Sequence, residues 1–176
     1  MFRTEPHQSP EIVSLSSART AVVRGQDIRF EDLREFYDSA FAALGEVLEA
    51  EGLIAVGPGF GLMTREPTDS LDLEVGFAVD HALAGTRAAA SGVEVVPSEI
   101  PGGPTAVTSH LGSFDDLAGA WEGFMGWIAD NGYTASLPFW ELYVTEPRPE
   151  MGPEELRTDL FVPVSGADAD EHHRRG

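Results

Sequence analysis

The stretch Pro58-Gly59-Phe60-Gly61-Leu62-Met63-Thr64-Arg65-Glu66-Pro67 returns further along the chain as Pro138-Phe139-Trp140-Glu141-Leu142-Tyr143-Val144-Thr145-Glu146-Pro147. Other landmarks recur around this pair in the same order. Thr20-Ala21-Val22-Val23 is matched by Thr105-Ala106-Val107-Thr108, Phe30-Glu31-Asp32-Leu33 by Phe114-Asp115-Asp116-Leu117, and Glu51-Gly52 by Asn131-Gly132. Leu73-Glu74-Val75-Gly76-Phe77-Ala78-Val79 falls where Thr158-Asp159-Leu160-Phe161-Val162-Pro163-Val164 stands. Offsets between 80 and 85 in a fixed order make chance a poor explanation. A repeat of this length decides the fold before any single element does.

Each copy reads as strand–helix–strand–strand. In the first, Phe30, Leu33, Tyr37, Phe41, Leu44 and Leu48 recur at steps of three and four, which predicts one buried helical stripe. Phe114, Leu117, Trp121, Phe124 and Ile128 do the same in the second. Ser113 with Asp116 three residues on resembles a capping box, and Gly52 and Gly132 suit left-handed helix ends. Strands are predicted at 12–15, 21–24, 61–64, 73–79, 93–100, 106–111, 141–144 and 160–164, with Pro- and Gly-rich turns between them. The expected class is α+β: tandem β-α-β-β repeats forming a mainly antiparallel sheet of about eight strands, with helices covering one face. Repeat one is placed at 11–80, an Ala-rich connector (short helix or loop) at 81–91, and repeat two at 92–165. Residues 1–10 and 166–176 are expected to be unstructured.

Composition narrows the chemistry. Cysteine is absent, so disulfides, thiolate metal sites and cysteine nucleophiles are excluded. All 11 basic residues are Arg, so no lysine is present for Schiff-base chemistry. Thirty acidic residues give a net charge of -19, which repels phosphate backbones and argues against direct nucleic-acid binding. The same charge favours cationic ligands. No stretch approaches the roughly 20 apolar residues of a membrane span, and the first residues lack a charged-then-apolar signal region. A cytoplasmic location, no membrane, no cofactor and no metal are expected. His81 and His110 are isolated from other metal-ligand candidates, and His172-His173 sits in the tail.

Gly112-Ser113-Phe114-Asp115-Asp116-Leu117, the helix end Trp127-Ile128-Ala129-Asp130-Asn131-Gly132, Trp140-Glu141-Leu142-Tyr143 followed by Pro147, and Glu154-Glu155-Leu156-Arg157 running into Thr158–Val164 resemble the gyrase-inhibitor-like (GyrI-like) small-molecule-binding family. That family also supplies effector-binding domains of AraC- and MerR-class multidrug regulators. The resemblance spans residues 12 to 164 when the repeat is counted. Ten residues ahead of it are too few for a helix-turn-helix, so a stand-alone form is expected. The resemblance implies a ligand groove where the repeats meet and a Glu in the penultimate long strand, here Glu141, facing lipophilic cations. Some similar stand-alone members hydrolyse cyclopropane-containing drugs; others are described as modulators of DNA gyrase.

Glu141 is the sharpest single residue. By alternation it shares a strand face with Phe139 and Tyr143, and its counterpart in the first repeat is Gly61, so the fold does not require a carboxylate there. An anion among aromatics is penalised by desolvation. Either its pKa rises or it awaits a cation. Candidate ligand-binding residues are Glu141, Tyr143, Trp140, Phe139, Trp121 and Phe161 in the second repeat, and Phe60, Met63, Tyr37 and Phe77 in the first. Rings can stack on delocalised cations, and Met adapts to varied shapes. The expected function is capture of hydrophobic, cationic or polyaromatic small molecules, with Glu141 as counter-charge. The alternative is a hydrolase using Glu141 and Tyr143 as catalytic groups. A second alternative is a protein-interaction modulator of gyrase. A gyrase or transcription-factor partner, and a monomer or weak dimer, accompany these readings. Glu154-Glu155 precedes a strand and reads as the start of a turn, with a place near the groove as the lesser alternative.

Overall fold

The computed structural model describes residues 5–113, 116–145 and 156–166. Its elements run β1 (Glu11–Leu15), β2 (Ala18–Arg29), a 3-10 turn at Phe30–Asp32, α1 (Leu33–Glu51), β3 (Phe60–Met63), β4 (Ser70–Ala78), β5 (Arg87–Ala88), β6 (Glu94–Ile100), β7 (Gly103–Leu111), α2 (Leu117–Asp130), β8 (Thr134–Ala135), β9 (Phe139–Tyr143) and β10 (Arg157–Ser165). The class is α+β. Pairings within each of its two compact units are all antiparallel. The strands beyond the eight expected are the two-residue β5 and β8.

One unit is the contiguous segment Ser17–Pro101, with strand order β3-β4-β2-β6-β5. Alpha-helix α1 lays Ala40, Ala43, Leu44, Val47 and Leu48 on Ala21, Val23, Leu71, Leu73 and Val75 of the sheet. The seam is shifted from the predicted stripe. Phe30 is 52% exposed, because it lies in the 3-10 turn before the helix begins. Small Ala40 and Ala43 form the contact line, so the bulkier Tyr37 and Phe41 pack at its edge with Phe77. Gly52 ends the helix at φ 68, a left-handed conformation that glycine adopts without strain. Gly76 is required for another reason: a Cβ there would lie 2.0 Å from the Ala21 carbonyl oxygen. The 81–91 connector contains no helix; β5 pairs with β6, and Arg87 reaches Glu51 at 2.8 Å.

The other unit joins residues up to Ser16 to those from Gly102 onward, in the order β1-β7-β10-β9 with β8 on β10. The orders β3-β4-β2-β6 and β9-β10-β7-β1 correspond strand for strand, with one exchange. The sequence reading placed 12–15 at the head of the first repeat and 93–100 at the head of the second. Each instead pairs in the other unit, β1 with β7 and β6 with β2. The link from β1 to β2 is only Ser16-Ser17, without the Gly or Asn that a tight hairpin needs for positive φ. The chain therefore continues onward instead of folding back.

Alpha-helix α2 buries Phe124 and Ile128. Its start is not the expected capping box. Ser113 Oγ donates to Asp116 Oδ2 at 3.3 Å, and no side chain caps the helix amides. Gly132, at φ 82, closes the other end. Phe114, Glu154-Glu155 and the tail beyond Gly166 lie outside the described residues.

Residues 5–10, expected as a loose lead-in, are tied down. The His7 amide donates to Ser109 Oγ at 2.8 Å, Ser109 N donates to the His7 carbonyl at 3.3 Å, and Arg157 Nη2 donates to the Glu5 carbonyl at 3.2 Å. The anchor beneath them is an ion pair. Arg157 Nε and Nη2 donate to Asp159 at 3.0 and 2.9 Å, and Ser109 Oγ adds a third bond to that carboxylate at 2.6 Å. Asp159 is 0% exposed. Removing one partner of such a buried pair strands the other charge, so Asp159→Ala is expected to cost about 3–5 kcal/mol in urea unfolding. Hydrogen exchange at His7 and Ser109 should rise with it. A variant with wild-type stability would show that the pair does not hold this unit.

Candidate functional site

Strand register sets the two faces of the unit that carries Glu141. Across β10, Thr158 is opposite both Tyr143 and His110, and Leu160 is opposite both Glu141 and Thr108. Side chains alternate along a strand, so Glu141, Tyr143, Thr158, Leu160, Thr108 and His110 share one face. Arg157, Asp159, Ser109, Trp140 and Phe161 share the other.

Alpha-helix α2 brings Trp121 to the first face. Its indole Nε1–H donates to Glu141 Oε1 at 2.6 Å, and the Tyr143 hydroxyl donates to Oε2 at 2.9 Å. Each carboxylate oxygen is thus held by a neutral donor. Rings wall the group: Trp121 lies 6.2 Å from Phe139 and 6.2 Å from Phe124. Phe139 is two residues ahead of Glu141 on the same strand face. Among the described residues no Arg or His forms an ion pair with Glu141, while Arg157 is committed to Asp159 on the opposite face. Burial raises the Glu141 pKa above the ordinary carboxylate value, and the bonds from Trp121 and Tyr143 and the charge of His110 pull it back. The site therefore holds an oriented carboxylate in a poorly solvated aromatic setting.

The other candidates separate clearly. Trp140 and Phe161 stack at 5.3 Å with a 5° interplanar angle, fully buried on the face away from Glu141. They belong to that packing layer. In the unit Ser17–Pro101, Tyr37 and Phe77 belong to the aromatic cluster around Phe41, and Met63 packs partly buried against the same core. Phe60 is 0% exposed and opposite Gly76, on the alternate side of its strand from Gly61 and Met63. The register of Gly61 with Val75 and of Met63 with Leu73 repeats that of Glu141 with Leu160 and of Tyr143 with Thr158.

Two features of the site were not drawn from the sequence. Trp121 stood among the ligand-binding candidates as a ring on a helical stripe, but its role as carboxylate donor depends on where α2 crosses the sheet. His110 was read as structural. It stands on the Glu141 face, lines an open recess of about 250 Å³ with Pro10, Thr108, Gly119, Gly123 and Phe124, and bonds the Ser113 carbonyl through Nε2 at 2.9 Å. The signal for both is the β7–β10–β9 register, which a single sequence does not contain. No group of three or more His, Asp or Glu among the described residues is arranged to hold a metal. No described helix is long and apolar enough to cross a membrane.

The sequence matches the GyrI-like small molecule binding domain over residues 8–165. The chain belongs to this family. Solved structures share its fold at low identity. The EcmrR C-terminal domain aligns at 21% identity with a TM-score of 0.75, covering 90% of this chain and 98% of that one. SAV2435 bound to tetraphenylphosphonium aligns at 15% identity and a TM-score of 0.65, covering 94% and 99%. A hydrolase from Listeria innocua aligns at 15% identity and a TM-score of 0.63, covering 92% and 94%. At these identities the likeness shows the fold. Within this GyrI-like chain, the carboxylate of Glu141 is held by Trp121 and Tyr143 and has no ion-pair partner among the described residues.

A carboxylate whose folded-state pKa is raised contributes stability that is present below its unfolded-state pKa and lost as pH rises through the folded-state value. Glu141→Gln removes the charge that must stay desolvated. Its melting temperature is therefore expected to exceed the wild-type value by a few degrees near pH 8, with the difference shrinking towards pH 4. A difference that grows as pH falls would contradict the raised Glu141 pKa.

Proposed function

We propose that this GyrI-like chain captures hydrophobic cationic aromatic compounds, with Glu141 as the counter-charge. The observation that carries this reading is the state of the carboxylate: neutral donors fix both oxygens, yet its negative charge meets no ion-pair partner among the described residues. A ligand cation supplies the missing charge where water is scarce and the interaction is correspondingly strong. The rings of Trp121, Tyr143 and Phe139 offer stacking surface, each good cation–π contact adding about 0.5–2 kcal/mol. The acidic surface, at net charge -19, raises the local concentration of cations approaching it. SAV2435, a structural neighbour solved bound to tetraphenylphosphonium, supports the same chemistry.

Tetraphenylphosphonium is a suitable probe because its charge is permanent. Wild-type protein is expected to bind it with a micromolar Kd, about -8 kcal/mol, and Glu141→Gln to weaken binding by about tenfold or more. Trp121→Phe, which removes one carboxylate donor, should produce an intermediate loss. If wild type and Glu141→Gln agree within about twofold, the carboxylate is not the counter-charge.

A second reading is favoured by one observation, the raised pKa of a carboxyl group bonded to a tyrosine hydroxyl. Such a pair can take a proton from water and deliver one to a leaving carbon, as hydrolysis of an electrophilic cyclopropane requires. Incubation with a spirocyclopropane alkylator should then yield the hydrated, ring-opened product, with both Glu141→Gln and Tyr143→Phe reducing turnover. No turnover above buffer would remove this reading for that substrate class.

A further inference from the structure

We propose that His110 is a protonatable internal counter-cation of Glu141: uncharged, it leaves the carboxylate to a cationic ligand, and charged, it competes with that ligand so that the site releases cations on acidification. This rests on the cation-binding reading above and assigns a regulator to the same site.

The geometry is a ladder across three strands. His110 on β7, Thr158 on β10 and Tyr143 on β9 occupy one continuous cross-strand row, and the Tyr143 hydroxyl ends on Glu141 Oε2. Strand β10 separates β7 from β9, so at about 4.8 Å per strand spacing the two backbones lie about 10 Å apart, and both ionisable side chains project from the same face about one Debye length from each other. The Thr158 hydroxyl between His110 and Tyr143 is buried without a hydrogen-bond partner. The charge of His110 is felt at Glu141, where it favours the ionised carboxylate.

His110 is also reachable from solvent. It lines the open recess of about 250 Å³ between β7 and the first turns of α2. Gly119 and Gly123 keep that recess open, since a Cβ at either position would meet nothing within 4 Å. Its Nε2 faces the Ser113 carbonyl at 2.9 Å, an acceptor that holds the N–H tautomer there and leaves Nδ1 to take the second proton.

The groups facing His110 can be named element by element among the described residues. From β9 they are Glu141 and Tyr143, and from β10 only Thr158. At the start of α2, Asp116 lies on the Nε2 side, its Oδ2 and the imidazole both within 4.0 Å of the position a Gly112 Cβ would take. Glu122 on the same helix is exposed. Glu11 bonds His7 at 2.6 Å on the far face. No arginine among them neutralises Glu141, so His110 is the one described cation on the Glu141 face.

The sign follows from coupled titration. Two groups, Glu141 and His110, can take the first proton that weakens cation binding. Removing one of them moves that first proton uptake to lower pH, whichever was the more basic. The experiment measures tetraphenylphosphonium affinity of the whole chain across the pH range, with two variants of opposite charge. His110→Gln is expected to bind about threefold or more tightly than wild type near pH 6 and to match it near pH 8. His110→Arg, always charged, is expected to bind about tenfold more weakly near pH 8 and to show little pH dependence above pH 6. A His110→Gln profile superimposed on wild type, or a His110→Arg affinity equal to wild type near pH 8, overturns the assignment. Either variant decides it if only one folds. Glu141→Gln run in parallel separates this failure from that of the cation reading, because it tests binding at pH 8 with His110 intact.

Discussion

Strand β10 is the constraint on which the functional unit depends. It is hydrogen-bonded along both edges, to β7 on one side and to β9 on the other, with β8 at its end. Its alternation therefore writes two different chemistries onto one strand. Arg157, Asp159 and Phe161 serve a layer that ties the chain's first described residues in place. Thr158 and Leu160 form the floor under Glu141, Tyr143 and His110. A one-residue slip of this strand would exchange the layers, placing an ion pair under the aromatic site and the carboxylate's floor under the lead-in segment. Register, more than any single contact, keeps the anchor and the site apart.

That separation explains why Glu141 has no structural ion-pair partner among the described residues. Arg157 is within the same strand pairing, but it points to the other face and is occupied by Asp159. The fold uses the one described arginine of this unit for stability and leaves neutral donors on the Glu141 oxygens. Trp121 and Tyr143 hold the carboxylate in position without cancelling its charge.

Much of this was legible in the sequence, because the repeat fixes where strands and helices alternate. Glu141 stood out there because its partner position is Gly61, and the observed registers of Gly61 and Glu141 agree with that alignment. What could not be read depends on long-range pairing. The row His110–Thr158–Tyr143 draws on three strands, and nothing local marks His110 as a neighbour of Glu141. Alternation set Tyr143 on the Glu141 face, but that Trp140 stacks on Phe161 and that the Tyr143 hydroxyl bonds the carboxylate depend on the strand pairing. The Arg157–Asp159 pair carried a weak local signal, two charges at alternate positions inside an apolar strand. The exchange of β1 and β6 carried none, since hydrophobic patterning identifies a strand without naming its partner.

The exchange also orders events in time. The segment Ser17–Pro101 is continuous, so all of its strands are present once that stretch of chain has been made. The strand β1 precedes it in synthesis but pairs with β7, Val13 opposite Thr105, and must wait for the later strand. Domains emerging during synthesis fold as their contiguous parts become available. Here the earlier unit can organise while β1 trails unpaired, and the functional unit closes last, when β10 arrives to join β7 and β9. A ribosome that stalls between these points would carry the whole Ser17–Pro101 segment with β1 still lacking the strand it pairs with.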